Sequence, residues 1–213
     1  LEFRRVLFRS KKQRLQALES GVTLIDPDST YISHKAKFGK DITIEPNVMI
    51  IGDVTIGDNT IIKSFSHLED CRIDADNIVG PYARIRPGTQ TQEKVKIGNF
   101  VEIKESNIGK SSKINHLSYI GDATLESNVN VGAGTITCNY NGFKKYKTKI
   151  KEGAFIGSNS SLIAPVTIAE DSIIAAGSTI TRDNKKDSIT IARAKQQELD
   201  GAAKIFRKKQ TKN

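Results

Sequence analysis

With 213 residues, no Trp, 6% aromatic residues and a formal charge of +9, the chain is ill suited to a conventional compact core, and its length fits one elongated domain or two small ones. No stretch approaches the ~18 consecutive apolar residues of a membrane-crossing helix, so no membrane partner is expected. The two cysteines, Cys71 and Cys138, form no CxxC pair, which excludes the common thiolate metal and redox motifs and points to a reduced, cytoplasmic setting.

Residues 1–10 (LEFRRVLFRS) hold three Arg against one Glu, differ in pattern from the rest of the chain and lack the apolar stretch of a signal peptide; they read as a cloning or sequencing remnant. Residues 11–20 predict the end of a helix, with Leu15 and Leu18 on one face and Gly21 as a left-handed cap. The span 11–21 reads as the remnant of an inter-domain linker. Residues 22–30, with Asp26-Pro27-Asp28, make a turn-rich lead-in.

From about Ile32 the chain takes up a six-residue rhythm. Aliphatics stand at Ile44, Ile50, Ile56 and Ile62, at Val79 and Ile85, at Ile114, Ile120 and Val131, and from Ile150 through Ile156, Leu162, Ile168 and Ile174 to Ile180. Four positions later comes a small or β-branched residue, among them Val54, Thr60, Ala83, Ser118, Thr124, Thr135 and Ser160. A period of six matches neither a helical turn nor a heptad. It fits a parallel β-helix in which each hexad is one flat face, the aliphatic pointing inward and the small residue lying near the corner. Such a core is built from stacked Ile and Val ladders, which suits a chain so poor in aromatics. Residues 22–191 are therefore assigned to one β-helix domain.

Three interruptions stand out. Residues 90–95 read as a short polar loop. The register slips near Asn107, where Ile108 comes five residues after Ile103. Residues 137–149 (TCNYNGFKKYKTK) carry four Lys, two Tyr and a Phe; a long excursion from a stacked solenoid is a candidate functional element. After Ile180, a short strand at 188–191 and a helix from about Ala192 to Phe206 are predicted. Residues 192–213 form a C-terminal helix and basic tail. The tail residues Lys204, Arg207, Lys208, Lys209 and Lys212 have no acid among them from position 201 onward. No aromatic-interleaved basic face accompanies them, so no nucleic-acid partner is expected. The tail is either a solvated end or a local attractor for a polyanionic ligand such as a nucleotide-bearing cofactor.

The middle of the chain departs from repeat filler in clusters: GPYARIRPG (80–88), IGNFVEIK (97–104), NHLSYIGD (115–122) and NVNVGAGT (128–135). One coil is three hexads, roughly 18 residues. Arg86 and Lys104 are 18 positions apart, so they stack on one face and can clamp one anion, with His116 and Asn130 at nearby edges. By residue type alone, Arg86 and Lys104 read equally as surface cations, and His116 as a solvated or structural histidine. His34 and His67 sit in ordinary hexads.

These segments, together with NVNVGAGTITCNYNG (128–142), FIGSNSSLIAPVTI (155–168) and IAAGSTIT (174–181), closely resemble the acetyltransferase domain of the bifunctional bacterial N-acetylglucosamine-1-phosphate uridyltransferase/glucosamine-1-phosphate N-acetyltransferase family. The resemblance covers roughly residues 15–195 and is most specific over 128–142. It implies a left-handed parallel β-helix, an exception to the right-handed rule for parallel crossovers. It also implies a homotrimer and acetyl transfer from acetyl-CoA to the amine of glucosamine 1-phosphate, in UDP-N-acetylglucosamine synthesis. By the same resemblance His116 is the general base, a role that suits a side chain titrating near neutrality. Arg86, Lys104, Tyr119, Asn130 and Lys145 are implied to bind the amino-sugar phosphate, and Ala133, Asn139, Tyr140, Ser158, Ala176 and Arg193 to bind acetyl-CoA. Direct transfer needs only a base and positioning, so Cys138 is not required as an acyl carrier. Neither a Gly-rich nucleotide loop nor acidic metal ligands precede Lys11, so no metal and no uridyltransferase half are expected in this chain. Asp183, where the family often has Asn, and Ala194-Lys195 depart from the family pattern. A non-catalytic scaffold or trimerisation module is the rival from another class; the joint presence of His116, Arg86, Lys104, Asn130 and the NYNG loop argues against it. A different acyl acceptor is the nearer alternative.

Overall fold

An aliphatic at every sixth position must leave water, and a chain too short of aromatics for a globular core does so by winding. The computed structural model describes residues 2–210, with side chains from residue 11 onward. It is a parallel β-helix of three sheets with ten, nine and eight short strands, in which each strand pairs with the one three places later, except that Ile173–Ile174 pairs with Ile189–Thr190 two places later. Successive strands thus pass to successive faces, here called A, B and C. Two helices flank the solenoid: α1 (Glu2–Glu19) and α2 (Ala202–Gln210).

The inward residues form ladders. On face A, Ile44, Ile62, Val79, Ile97, Ile114, Val131, Ile156 and Ile174 are register partners in turn, and all are buried. Each such side chain contributes about 1.5–3 kcal/mol when fully removed from water. The small residues close the corners: Val54, Thr60, Ala83, Val101, Ser118, Thr135 and Ser160 are each at most 3% exposed.

The structure corrects several sequence expectations. Residues 90–95 do not break the rhythm. Gln90–Thr91 is a strand on face C, and Thr91 takes the inward place of an aliphatic. Its Oγ1 accepts hydrogen bonds from the buried Asn77 side-chain amide at 3.1 Å and from Asp74 N at 3.3 Å, which is how a hydroxyl is tolerated there. The five-residue step from Ile103 to Ile108 also has two counterparts, Leu68 to Ile73 and Ile120 to Leu125. At all three the turn from face B to face C is made by an acidic residue at positive φ: Asp70 (40°), Glu105 (46°) and Asp122 (50°). The shorter step moves the corner residue, so Ala123 is buried where Thr124 was expected, and Thr124 is exposed.

In α1, Ala17 is the buried residue, whereas Leu15 and Leu18 are 50% and 39% exposed. Gly21 takes φ +93° after the helix, as expected for a cap. The solenoid begins earlier than Ile32, since Thr23–Leu24 already pairs with Thr43–Ile44. The C-terminal helix starts at Ala202, not near Ala192. Residues 188–193 instead continue the stacking: Ile173 N donates to Ser188 O, Ala175 N to Thr190 O and Thr179 N to Ala192 O. These bonds, with Arg193 Nη1 donating to Ala176 O, hold Ala192 and Arg193 against the solenoid rather than in the predicted helix. Between Ile136–Cys138 and Thr148–Ile150, both in the ladders, residues 139–147 leave the prism. Register partners Leu125 and Ile150 are 25 residues apart there, seven more than the 18 that separate Ile44 and Ile62.

Candidate functional site

The candidate residues fall on two edges of face B. The first edge is cationic. Arg84–Ile85 pairs with Glu102–Lys104, which places Arg86 beside Lys104 on the next coil. Glu102 holds the arginines: Arg86 Nη1 donates to its Oε1 at 2.7 Å, and Arg84 Nη1 lies 3.9 Å from its Oε2. Lys104 is register partner to Gly121, and its Nζ is 4.0 Å from Asp122 Oδ2. Asp122 in turn accepts a hydrogen bond from the Asn139 side-chain amide. Lys145, reaching in from the excursion, makes a side-chain contact with Lys104. That contact, and then burial, push the Lys104 ammonium below the usual lysine range, while the same contact and then Asp122 push Lys145 above it. Tyr119 lies over Gly121, where an added Cβ would stand 2.8 Å from Asn139 Nδ2. A side chain at position 121 would displace the Tyr119 and Asn139 side chains.

The second edge is the corner from face A to face B. His116 ends the strand Lys113–His116, is exposed, and is register partner to Asn99. Its Nδ1 is 2.6 Å from Asn99 Oδ1. Coil by coil from His116, the same corner carries Ala133, Ser158 and Ala176. Gly134 N donates to His116 O at 3.2 Å, Asn159 N to Ala133 O at 2.7 Å and Gly177 N to Ser158 O at 2.8 Å. Arg193 closes the column, with Nη1 2.5 Å from Ala176 O. Neighbouring strands lie about 4.8 Å apart, so His116 and Ala176, three coils apart, are separated by roughly 14 Å along the axis. Between them stand only small side chains. Gly132 and Gly157 keep the backbone close, since a Cβ on Gly132 would stand 2.5 Å from Ser158 N and one on Gly157 2.6 Å from Ile174 O.

The structure therefore brings Arg86, Lys104, Tyr119, Asn139 and Lys145 together, and His116, Ala133, Ser158, Ala176 and Arg193 together, but on separate edges. Asn130 belongs to neither group. It pairs with Lys113 on face A, three residues before the level of His116. Tyr140 is exposed on the excursion, its hydroxyl donating to Gly142 O at 2.5 Å. Clefts along face C (Arg72, Gln90, Asn107, Glu126) and beneath the last coil (Thr179, Asn184, Ala192) contain none of these residues. Sequence reasoning missed Asn99, Glu102 and Asp122. A coil-length offset would have found two of them: Asn99 is 17 positions before His116, and Asp122 is 18 after Lys104.

Among the described residues no group of three or more His, Cys, Asp or Glu is placed to hold a metal ion, and no helix is long and apolar enough to cross a membrane. The bacterial transferase hexapeptide family (six repeats) matches residues 35–70 and 147–182. The bifunctional protein GlmU of Zymomonas mobilis is 49% identical over 201 residues, covering 94% of this chain and 45% of that protein. That of Paramagnetospirillum magneticum is 48% identical over 197 residues, covering 92% and 44%. The chain thus spans less than half the length of these relatives. Among solved structures, LpxA, a UDP-N-acetylglucosamine acyltransferase from Bacteroides fragilis, superimposes with a TM-score of 0.69 at 21% identity, over 86% of this chain and 77% of that one. The Francisella novicida UDP-N-acetylglucosamine acyltransferase gives 0.61 at 18% identity, over 80% and 67%. At such identities the likeness is one of fold.

Proposed function

Because the chain belongs to the hexapeptide-repeat, left-handed β-helix family and is a homologue of the C-terminal half of the bifunctional GlmU proteins, we propose that it transfers an acetyl group from acetyl-CoA to the amine of glucosamine 1-phosphate. The product, N-acetylglucosamine 1-phosphate, would feed UDP-N-acetylglucosamine synthesis in the cytoplasm. The observation that carries this reading is the column from His116 to Arg193. A flat strip bounded by glycines and small residues gives an extended thioester arm a floor without side-chain bulk, with a base at one end and a cation for a CoA phosphate at the other.

His116 takes the amine proton as the nitrogen attacks the thioester carbonyl. The tetrahedral intermediate collapses, the C–S bond breaks, and the imidazolium returns the proton to the departing CoA sulfur. Lys145, Lys104 and Arg86 supply positive charge and donors for the sugar phosphate, with Glu102 and Asp122 fixing their heads. Tyr119 and Asn130 line the sugar side, and Asn139 and Tyr140 the acyl side. Since the two clusters occupy different edges of one face, the site is completed between copies, in a homotrimer.

The test is CoA release from acetyl-CoA with a panel of amino sugars. His116→Ala should lower the rate by about 10²–10⁴-fold with the fold retained. Turnover near wild type in that variant, or equal turnover of unphosphorylated glucosamine, would refute the assignment.

A further inference from the structure

We propose that Asn99 is a positioning residue that fixes the tautomer of His116, leaving Nε2 free to accept the proton; this rests on His116 being the base. The backbone sets the pair. Asn99 and His116 are register partners on adjacent coils, and Leu117 N donates to Asn99 O at 3.0 Å, so the parallel ladder holds both side chains level. The corner beside them is lined by stacked rings. Phe65, Tyr82 and Phe100 succeed one another coil by coil at positive φ, with ring centroids 4.9 and 5.2 Å apart, and Leu117 repeats the conformation at φ 51°. Phe100 and Leu117 each come directly after one of the paired residues.

The atoms then dictate the protonation. Asn99 Oδ1 stands 2.6 Å from His116 Nδ1, and an amide carbonyl oxygen can only accept. Nδ1 therefore carries the hydrogen, and the lone pair of the neutral ring sits on Nε2. Among the described residues Asn99 makes the side-chain hydrogen bond to this imidazole. Its neutrality matters. A carboxylate there would orient the ring equally well but would stabilise the imidazolium, and a base must begin unprotonated.

Long-range ¹H–¹⁵N correlation spectra of the ¹⁵N-histidine-labelled full chain, recorded without substrate at alkaline pH, should show the Nδ1–H tautomer. Asn99→Leu should shift it toward Nε2–H and lower kcat by about 10²-fold, with KM for both substrates within a factor of about two. Asn99→Asp should keep the tautomer and most of kcat, but move the acid limb of the kcat/KM profile upward by about one pH unit or more. An Nε2–H tautomer in the wild type, or Asn99→Leu with unchanged kcat and profile, overturns the inference. Should Asn99→Leu fail to fold, the Asn99→Asp profile decides, and an unmoved acid limb counts against it. The underlying reading is tested separately: a fully active His116→Ala would remove the base, while the spectra would still report the Asn99 contact.

Discussion

At the scale of single residues, a corner of the prism has room for a small side chain and none for a charge. Cys71 occupies such a corner, level with Val54 on the preceding coil and Thr89 on the next, and is 5% exposed. Burial pushes its thiol from 9.0 up to about 12, against the lowering effect of a backbone hydrogen bond at Glu69. Between these values the unfolded chain has lost the proton and the folded chain retains it. Stability is therefore full below pH 9 and falls as pH rises toward 12, by up to about 1.4 kcal/mol per pH unit. Cys71→Val, which copies the occupant of the coil before, should flatten that part of the slope; denaturant midpoints of the two proteins at about pH 8, 9 and 10 measure the difference. The residues that line the candidate site were only partly visible in the sequence for a related reason. Outward positions in a hexad accept almost anything, so Asn99 and Asp122 look like filler until the coil length pairs them with His116 and Lys104. Arg86 and Lys104 were legible because a cation on each of two successive coils is a coincidence that the 18-residue spacing exposes.

At the scale of elements, the inward ladder was written in the sequence, but its irregularities were not. A five-residue step or a Thr in an aliphatic place changes one residue in a pattern of six, and only the pairing shows which face absorbs it. The excursion at 139–147 was the opposite case, a break too long to miss. Its strands on either side stay in register, with Thr137 and Thr148 both fully buried, so the prism does not depend on it. Deleting residues 140–146 removes the seven extra positions and restores an 18-residue coil. The loop-closure cost also falls with the shorter connection. The deleted protein should melt within a few degrees of the parent by circular dichroism, yet lose acetyl transfer by at least about 10²-fold, because Lys145 and Tyr140 go with it. Retained transfer would make the loop a bystander, and a collapsed melting curve would make it structural.

At the scale of the whole molecule, the geometry of one chain leaves the proposed site unfinished. His116 stands where face A turns into face B, and Asn139, tied to Asp122, stands where face B turns into face C. In a ring of three prisms with cyclic symmetry, one edge of each chain meets the other edge of the next, and every heterologous contact is the same. A His116→Ala chain and an Asn139→Ala chain are each expected to be inactive alone. Co-expressed in equal amounts with different affinity tags, they assort into trimers of which about three in four are mixed, and each mixed trimer has one junction that draws an intact residue from both neighbours. About a quarter of all sites should then be whole. Tandem purification followed by the CoA-release assay reads this directly: activity near about one third of wild type in the doubly tagged, mixed trimers is the expected result. Background activity in mixed trimers verified by mass would place both residues in the same chain's share of the site, and an active monomer in sedimentation at assay concentration would remove the shared site altogether.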